Sequence, residues 1–583
     1  MYGYNSIYNS LVKNNVKDVF LYSGGSIMSL IDLFTKTKSL NYYINNHEQN
    51  VGHSATGYAK SSNKTGIAIV TSGPGLTNMV TPMLDAQNDS TPLVVFSGQV
   101  SLESKGKLAF QECEATSITK SCTKWSYDVK KNDDLFELTN EAIRVANHGK
   151  KGCVHIDIPK CILNDLNGNN IVKFNSYDEI TLEDDTKIKN DKIDYKKLDE
   201  IISKASQPII IIGKGCNDFS DDLYKFIKKY KIHTTSTIHS MGTFDETDEL
   251  SLGFCGMHGY PAANFAVQNS DLIIALGSRF DDRITGKLSL FAPKCKNIIH
   301  VNIENSELGK IVDTTNERNV YKLNVSCDIF FKNINIIKSS EINNKKGWNN
   351  DINTWKKSYP ITYNIPKYNK LNTQMVIEQI GKSIDKTNTI ITTGVGNHQM
   401  MAAQFIDFRI PKQFITSGSL GVMGVGLPYS IGCQIANPTK TVIDIDGDGS
   451  FNHTLADLQT VYKYDLPIKI FIMNDGKMSM VRAWEELFYN GNYVATDCDH
   501  NPDYCKLAES YGIKSVYLSS KNSLESIVNY VINYNDGPIL CNCIVDSDLC
   551  LPLVAPGKAL DDMMMLNNMN TNTNYIFNSE TPS

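Results

Sequence analysis

A glycine-rich turn beside two acidic residues has the chemistry to hold a diphosphate and a divalent cation. The turn, Gly447-Asp448-Gly449-Ser450, follows the apolar run 441–446, and Asp475 follows a second apolar run, 468–473. Such runs are typical of buried parallel strands, whose carboxyl ends meet at one edge of a sheet. Glycines let the backbone approach an anion, and carboxylates are ligands for Mg²⁺. The spacing predicts a diphosphate–Mg²⁺ site, although Gly-Asp-Gly alone is also ordinary turn chemistry.

The elements that must position this turn alternate strand-like apolar runs with helical patterns, and many of the runs end in glycine. The pattern predicts an α/β fold of three doubly wound, parallel-sheet domains. We predict domains at 1–165, 190–337 and 368–563 and a disordered tail at 564–583. The polar stretches 164–194 and 338–370 are predicted to be linkers.

Composition narrows the classes of protein that this chain can be. Its 583 residues are 41% hydrophobic and 21% charged, which suits a globular protein of several domains. A net charge of −6 gives no basic field for nucleic acid. An apolar run of about 18 residues is lacking, so no membrane-spanning helix is expected. The 14 cysteines form no CxxC pair, and the opening residues show no targeting pattern, so we expect reduced thiols and a cytoplasmic location.

Three further stretches carry polar or glycine-rich chemistry. Glu48 stands in His47-Glu48-Gln49, just before a helical pattern that contains Val51 and Ala55. By itself such a glutamate is usually a surface or capping residue. The glycine-dense segments 394–399 and 417–428 follow strand-like runs, where further diphosphate contacts belong, and they are equally compatible with tight packing alone.

The spacing of these motifs resembles that of a known enzyme family. Ile431-Gly432, Pro438 and the turn at 447–450, followed by Asn474-Asp475, resemble the signature of thiamine diphosphate (ThDP) enzymes. Further motifs are similar to the catalytic subunit of acetohydroxyacid synthase, also called acetolactate synthase. They are found at 22–28, 47–49, 71–75, 109–112, 256–259, 279–287 and 480–484, and the similarity runs from about residue 6 to residue 563.

The resemblance implies a transferase that decarboxylates pyruvate on ThDP and Mg²⁺. Its hydroxyethyl group is joined to a second 2-keto acid, pyruvate or 2-ketobutyrate, in the first common step of branched-chain amino acid biosynthesis. The resemblance also implies that Glu48 hydrogen-bonds N1′ of the cofactor and that Asp448, Asp475 and the carbonyl of Lys477 hold the metal. The implied ThDP contacts are Gly396, Asn397, His398, Gly421, Met423, Gly447, Asp448, Gly449, Ser450 and Met480.

The remaining implied roles concern the substrates and a second cofactor. Gly25, Phe110, Gln111, Lys160 and Met480 would line the reacting end, Arg283 would hold the acceptor carboxylate and Trp484 its alkyl group. The family also binds FAD, which takes no net redox part in the reaction. Its implied contacts are Gly213, Gly215, Thr237, Met257, His258, Gly277, Arg279, Asp281, Arg283 and Asp328, although the middle block lacks a GxGxxG fingerprint.

Four residues depart from the family pattern. Ser23 replaces a proline in a glycine turn, and Lys150 stands where an arginine usually contacts FAD. Asp475 replaces an asparagine, which adds a negative charge beside the metal, and Ser479 replaces a glycine. We expect metal binding to survive these changes.

Two other functions remain open at this stage. The chain could be another ThDP-dependent 2-keto acid decarboxylase, oxidase or carboligase on the same scaffold, or an inactive scaffold that binds a partner. Glu48 and Asp448 are about 400 residues apart, so one cofactor must bridge two domains. We therefore expect a homodimer or homotetramer with the site at the subunit interface, and a separate regulatory subunit is compatible with the sequence.

Overall fold

The computed structural model of the chain describes residues 2–165, 193–312, 318–338 and 342–566. These residues form three six-stranded sheets in which every paired strand is parallel, flanked by helices, and one small antiparallel sheet. The predicted α/β class with three parallel sheets is confirmed.

The first sheet is built from short, mostly buried strands that alternate with helices. The strands are β1 (Asp18–Leu21), β2 (Asn41–Ile44), β3 (Gly66–Val70), β4 (Leu93–Gln99), β5 (Trp125–Asp128) and β6 (Cys153–Pro159). Their order across the sheet is β2-β1-β3-β4-β6-β5. The helices are α1 (Gly3–Lys13), α2 (Met28–Lys36), α3 (Glu48–Ser61), α4 (Pro74–Thr77), α5 (Val80–Asn88), α6 (Ala115–Thr119), α7 (Leu135–Asn147) and α8 (Lys160–Asn164).

The second sheet has a different strand order. Its strands are β7 (Pro208–Ile212), β8 (Thr234–Ser236), β9 (Ser251–Phe254), β10 (Leu272–Leu276), β11 (Asn297–Val301) and β12 (Asn319–Leu323), in the order β12-β11-β10-β7-β8-β9. Counted from β7, this is the 3-2-1-4-5-6 order of dinucleotide-binding folds. The helices are α9 (Tyr195–Lys204), α10 (Ser220–Tyr230), α11 (Pro261–Asn269), α12 (Asp282–Thr285), α13 (Cys327–Ile334) and α14 (Lys346–Ser358).

The third sheet repeats the topology of the first. Its strands are β13 (Thr389–Thr393), β14 (Phe414–Ile415), β15 (Thr441–Gly447), β16 (Lys469–Asn474), β17 (Lys514–Leu518) and β18 (Ile539–Ile544), in the order β14-β13-β15-β16-β18-β17. The helices are α15 (Thr373–Ser383), α16 (Asn397–Phe405), α17 (Gly426–Ala436), α18 (Asp448–Phe451), α19 (Leu458–Lys463), α20 (Ser479–Phe488), α21 (Tyr504–Ser510) and α22 (Leu524–Ile532). The strands β19 (Leu553–Val554) and β20 (Met563–Met564) pair antiparallel after the sheet.

The structure gives different outcomes for the two predicted linkers and the predicted tail. The stretch 338–370 was predicted to be a linker, and this is wrong in part, because it contains α14, whose Trp348 and Ile352 are buried against the second sheet. Most of 164–194 lies outside the described residues, as does the tail from residue 567 onward. Met564, placed at the start of that tail, belongs to β20. The exact domain ends stay predictions.

The first and third sheets share one hydrophobic core, because equivalent helices, α3 and α17, pack directly together. Val51 and Ala55 of α3 lie in the same buried cluster as Ile431 of α17. Glycines make this contact close: a Cβ on Gly57 would lie 2.6 Å from the Cα of Tyr429, and one on Gly432 would lie 2.0 Å from the carbonyl oxygen of Ser54. The two domains are therefore fixed against each other by backbone contact.

Gly432→Ala is expected to lower the free energy of unfolding by about 1–3 kcal/mol, since the new methyl group meets rigid backbone. Chemical denaturation of the purified variant measures the change. Gly347→Ala, in α14, is the matched control, because a Cβ there meets nothing within 4 Å and should leave stability equal or slightly higher. Equal stabilities for the two variants would contradict the close-packing account.

Candidate active site

All predicted site residues lie where a parallel strand ends or in the segment that follows it. Glu48 follows β2, Gly447 ends β15, and Asp475 follows β16. The FAD-type positions Gly213 and Gly277 follow β7 and β10, the neighbouring strands at which the order of the second sheet reverses. Because ligands of open α/β sheets bind outside the carboxyl ends of the strands, this placement suits binding sites.

Glu48 is the first residue of α3, because His47 caps the helix by accepting a hydrogen bond from the Gln49 amide at 3.1 Å. Its side chain is half-buried. The Asn78 amide donates to Oε2 at 2.9 Å, and a Cβ on Gly75 would lie 3.6 Å from Oε1. The glutamate is thus held at the amino end of a helix, where the helix dipole favours a negative charge.

The other predicted residues of the first domain lie at the same sheet edge, and all but the half-buried Gln111 face solvent in one chain. Gly25 and Lys160 are exposed, and Phe110 is 89% exposed. Gln111 has a φ of 63°, and a Cβ on Gly73 would lie 2.8 Å from its carbonyl oxygen, so its backbone abuts the turn that contacts Glu48. The edge is formed but not covered.

The glycine-rich turn of the third domain is packed tightly at the point where the strand order reverses, between β13 and β15. A Cβ on Gly394 would lie 2.0 Å from Oδ1 of Asp446 and 2.1 Å from Oγ of Ser450. Ser450 Oγ in turn accepts a hydrogen bond from the Gly424 amide at 2.8 Å. Nε2 of His398 is buried and lies 3.2 Å from Oδ1 of Asp446, so the imidazole contacts this carboxylate beside the turn.

Two carboxylates of the third domain are close enough to influence each other. Asp448 is buried, and its Oδ2 accepts hydrogen bonds from the Gly476 amide at 3.0 Å and from Asn501 at 2.5 Å. Burial, and then the charge of Asp475, raises the pKa of Asp448 to about 7. Burial also raises the pKa of Asp475. A divalent cation would relieve this repulsion, so the pair fits Mg²⁺.

Two of the four departures from the family pattern, Asp475 and Ser479, contact each other. The Ser479 hydroxyl donates to Oδ2 of Asp475, and the Lys477 amide donates to Oδ1 at 3.1 Å. The added hydroxyl therefore stabilises the added carboxylate. Two backbone hydrogen bonds join this loop to the 496–498 segment, and the carbonyls of Gly476 and Thr496 accept them. The Lys477 carbonyl, which is the predicted third ligand, takes no part in this pairing.

Glycines leave room between this turn and the segment after β14. A Cβ on Gly449 would lie 3.9 Å from Cε of Met423, so this implied ThDP contact lies beside the turn. Gly421 has a φ of 73° and open space where a Cβ would be. Met423 and the glycine-rich turn therefore lie side by side.

The second domain borders a cavity of about 700 Å³ at the carboxyl edge of its sheet. Gly277 lines this cavity and packs closely on Gly213, since a Cβ on Gly213 would lie 2.3 Å from the carbonyl oxygen of Gly277. Lys150 lies at the wall and contacts Glu307 at 2.9 Å. The predicted residues of the second domain that line the cavity are Gly215, Thr237, Met257, His258, Gly277, Arg279, Asp281 and Arg283.

The cavity extends from the second domain to the third. Met480 and Trp484 of α20 line it together with Arg283, which donates to Sδ of Met257 at 3.2 Å. Gly213 and Asp328 do not line it, but Gly213 lies directly behind Gly277 and Asp328 follows the lining residue Cys327.

The structure thus places the predicted catalytic residues in two groups within one chain. Arg283, Met480 and Trp484 border the cavity. None of the first-domain residues Gly25, Glu48, Phe110, Gln111 and Lys160 lines it. Sequence reasoning missed Asn501, whose amide holds Asp448, because nothing in its local sequence links it to a turn 53 residues earlier.

The described part of the chain contains neither a side-chain metal cluster nor a membrane-spanning helix. Within residues 2–165, 193–312, 318–338 and 342–566, no three His, Cys, Asp or Glu side chains cluster closely enough to hold a metal. The predicted metal site instead combines two carboxylates with a backbone carbonyl. Across the same ranges, no helix combines the length and apolar character that crossing a membrane requires.

Metal affinity should depend on pH through Asp448. Since a cation must displace the proton that Asp448 holds below a pKa of about 7, the Kd for Mg²⁺ with ThDP present should be about tenfold weaker at pH 6 than at pH 8. Titration followed by tryptophan fluorescence measures it. Asp475→Asn is the control, because it removes the neighbouring charge and should reduce the ratio while titration of the cofactor itself stays the same. Identical ratios for both proteins would contradict the assignment.

Three family comparisons match separate parts of the chain. Residues 1–118 match the N-terminal TPP binding domain of thiamine pyrophosphate enzymes, residues 195–319 match their central domain, and residues 394–543 match their C-terminal TPP binding domain. Thiamine pyrophosphate is another name for ThDP. Each match contains strands of one of the three large sheets.

Relatives from fungi, algae and plants match over nearly the whole chain. The mitochondrial acetolactate synthase catalytic subunit of Saccharomyces cerevisiae is 38% identical over 96% of this chain and 83% of its own length. The acetolactate synthase large subunit of Cyanidium caldarium is 36% identical over 96% of both chains. The chloroplastic acetolactate synthase 1 of Zea mays is 34% identical over 97% of this chain and 88% of its own. The chain therefore belongs to the acetolactate synthase family of thiamine pyrophosphate enzymes.

Proposed function

We propose that this chain is the catalytic subunit of an acetolactate synthase, which decarboxylates pyruvate and joins its hydroxyethyl group to pyruvate or 2-ketobutyrate. Full-length similarity to acetolactate synthases supports the activity. The assignment of roles to individual residues is supported by their position, because Glu48, Asp448 and Asp475 all lie at carboxyl edges of parallel sheets.

ThDP, when bound, supplies a carbon nucleophile that attacks the keto carbon of pyruvate and stabilises charge as CO₂ leaves. Glu48 is proposed to hydrogen-bond N1′ of the pyrimidine and thereby favour loss of the proton that activates the cofactor. Glu48 is held at the start of α3, and the Asn78 amide donates to its Oε2. The other carboxylate oxygen, Oε1, lies beside the Gly75 turn.

The third domain is proposed to hold the diphosphate and the metal. Asp448, Asp475 and the Lys477 carbonyl would supply hard oxygen ligands, and the glycines of the turn before α18 would let the backbone approach the diphosphate. The imidazole of His398 lies beside the turn, where a Cβ on Gly447 would be 2.8 Å from its Nδ1, and would lie close to the diphosphate.

The cavity is proposed to take the second keto acid at one end and FAD along its length. Arg283, whose guanidinium has five donors, would bind the acceptor carboxylate, and Trp484 would contact its alkyl group. The 3-2-1-4-5-6 strand order and the glycines at its reversal point support a dinucleotide in the remaining space. The ten FAD-type residues of the second domain remain a proposal.

We further propose that the enzyme is a homo-oligomer, a dimer or tetramer, whose active site lies between subunits. Phe110 and Leu108, beside the predicted reacting end, are 89% and 97% exposed, and no residue of the amphipathic helix α20 is buried in one chain. Such apolar surface next to a site indicates a missing cover. Relatives are named catalytic or large subunits, so a smaller regulatory subunit belongs to the proposal.

A cytoplasmic location is the last part of the proposal. All 14 cysteines are free thiols, which suits a reducing compartment. Some relatives carry mitochondrial or chloroplastic in their names. Imaging of the tagged chain in its own cells would distinguish these compartments.

Purified protein supplied with pyruvate, ThDP and Mg²⁺ should form 2-acetolactate, and added FAD should increase the yield of active enzyme and leave a yellow protein. Mass spectrometry of the products measures the outcome. Acetaldehyde, or acetate with peroxide, as the main product would show a different ThDP enzyme. A colourless and fully active protein would remove FAD from the proposal.

Glu48→Gln should slow acetolactate formation by roughly 10²–10⁴-fold, the usual contribution of a positioned acid–base group. The substitution keeps size and hydrogen-bonding reach, so ThDP affinity should change much less than turnover. Glu114→Gln, an exposed carboxylate near the same sheet edge, is the matched control and should keep its rate. Normal turnover in Glu48→Gln would show that the activating group lies elsewhere.

A further inference from the structure

A buried ion cluster lies where the three domains meet. Lys60 of α3 donates from Nζ to Oδ2 of Asp89 at 2.6 Å and to the carbonyl oxygen of Thr416 at 2.7 Å. His239, which follows β8, lies with Nε2 2.9 Å from Oδ1 of Asp89. Asp89 is 2% exposed and Lys60 is 7% exposed. One carboxylate of the first domain therefore contacts both other domains.

The third-domain partner is the backbone of one segment, residues 416–423. Amides of Gly418 and Ser419 donate to the two Asp89 oxygens at 3.3 and 3.0 Å. Further along, the Val422 amide donates to Oγ of Ser417 at 3.1 Å. This segment carries Gly421 and leads directly to Met423, the residue beside the Gly449 turn. Asp89 thus holds in place the backbone that leads to the proposed ThDP site.

The same atoms form a wall of the large cavity. Asp89, His239, Arg279 and residues 417–421 all line it. Arg279 reaches across and donates to Oγ of Ser419 at 3.0 Å. A ligand that orders Arg279 or His239 therefore orders the segment behind them.

The charge of the cluster makes it a rigid link. Burial opposes ionisation of Asp89, but His239 and Lys60 outweigh it and hold the pKa of this carboxyl well below its usual range. Loss of the carboxylate would leave the Lys60 ammonium and two backbone amides without their acceptor, which is costly in a buried setting.

We propose that Asp89 is a positioning residue that couples occupation of the cavity by a dinucleotide to the binding of ThDP at the 416–423 segment. The inference rests on the proposed function, because it takes FAD as the dinucleotide. A cofactor without net redox chemistry then has a structural role, since a fixed cavity wall holds the segment in its ThDP-binding position. By linkage, ThDP must strengthen FAD binding by the same factor.

The test compares Kd values for ThDP with Mg²⁺, measured by tryptophan fluorescence, without FAD and with saturating FAD. In the unmodified chain, FAD should lower this Kd by about fivefold or more. In Asp89→Asn, the ratio should fall toward one, with weaker ThDP binding when FAD is present. The reciprocal measurement, the Kd for FAD with and without ThDP, should give the same ratio for each protein.

Two further variants keep the test decisive. Ser419→Ala removes only the hydroxyl that Arg279 contacts, so it should fold normally and lose part of the coupling even if Asp89→Asn is unstable. Asp218→Asn is the matched control: Asp218 lines the same cavity and pairs with Lys412 at 2.5 Å and Lys151 at 3.3 Å, joining three domains without touching 416–423. It should keep the full coupling ratio.

The possible outcomes distinguish a failure of the positioning role of Asp89 from a failure of the FAD proposal on which it rests. An unmodified chain that binds ThDP but no FAD would overturn the FAD proposal and the coupling with it. Binding of FAD with a coupling ratio that is unchanged in both Asp89→Asn and Ser419→Ala would overturn the positioning role alone. Equal loss of coupling in Asp218→Asn would show that any ion pair of the cavity suffices, which also contradicts a specific role for Asp89.

Discussion

A parallel sheet has only one carboxyl edge, and this constraint decides where the chemistry of this chain can lie. Every strand of the three large sheets runs parallel to its neighbour, so all of the connecting loops after the strands gather on one side of each sheet. Residues as distant in sequence as Gly447 and Asp475 become neighbours because β15 and β16 pair, with Gly447 opposite Met473. The direction of the strands alone therefore determines the sheet edge at which the site lies.

The same constraint places the two proposed halves of the site on separate sheet edges. First and third domains repeat one topology and pack through their equivalent helices α3 and α17, with Gly57 and Gly432 allowing backbone contact. Each of these domains therefore presents its own loop edge, one with Glu48 and one with Asp448. Exposed apolar residues such as Phe110 accompany the first of these edges. The proposed homo-oligomer would cover this edge with a second copy of the chain.

Much of the fold could be predicted from the sequence, because buried strands such as β7 and β10 are runs of Ile, Leu and Ala that end in glycine. The Asp448 turn was also readable, since its ligands follow strands at a fixed spacing. The features that the sequence did not predict depend on contacts between residues that are distant in the sequence. Asn501 on Asp448 is one example. Helix α14 was hidden because only Trp348 and Ile352 face the core of an otherwise polar segment.

The central claim is that one ThDP is held between Glu48 of one subunit and Asp448 of another, and subunit complementation tests it most directly. Glu48→Gln and Asp448→Asn chains, each nearly inactive alone, are co-expressed and purified together. In a mixed dimer one site would combine both lesions and the other neither, so about a quarter of the normal activity should return in a random mixture. If no activity returns although mixed dimers are isolated, the two residues serve the same chain and the account is contradicted.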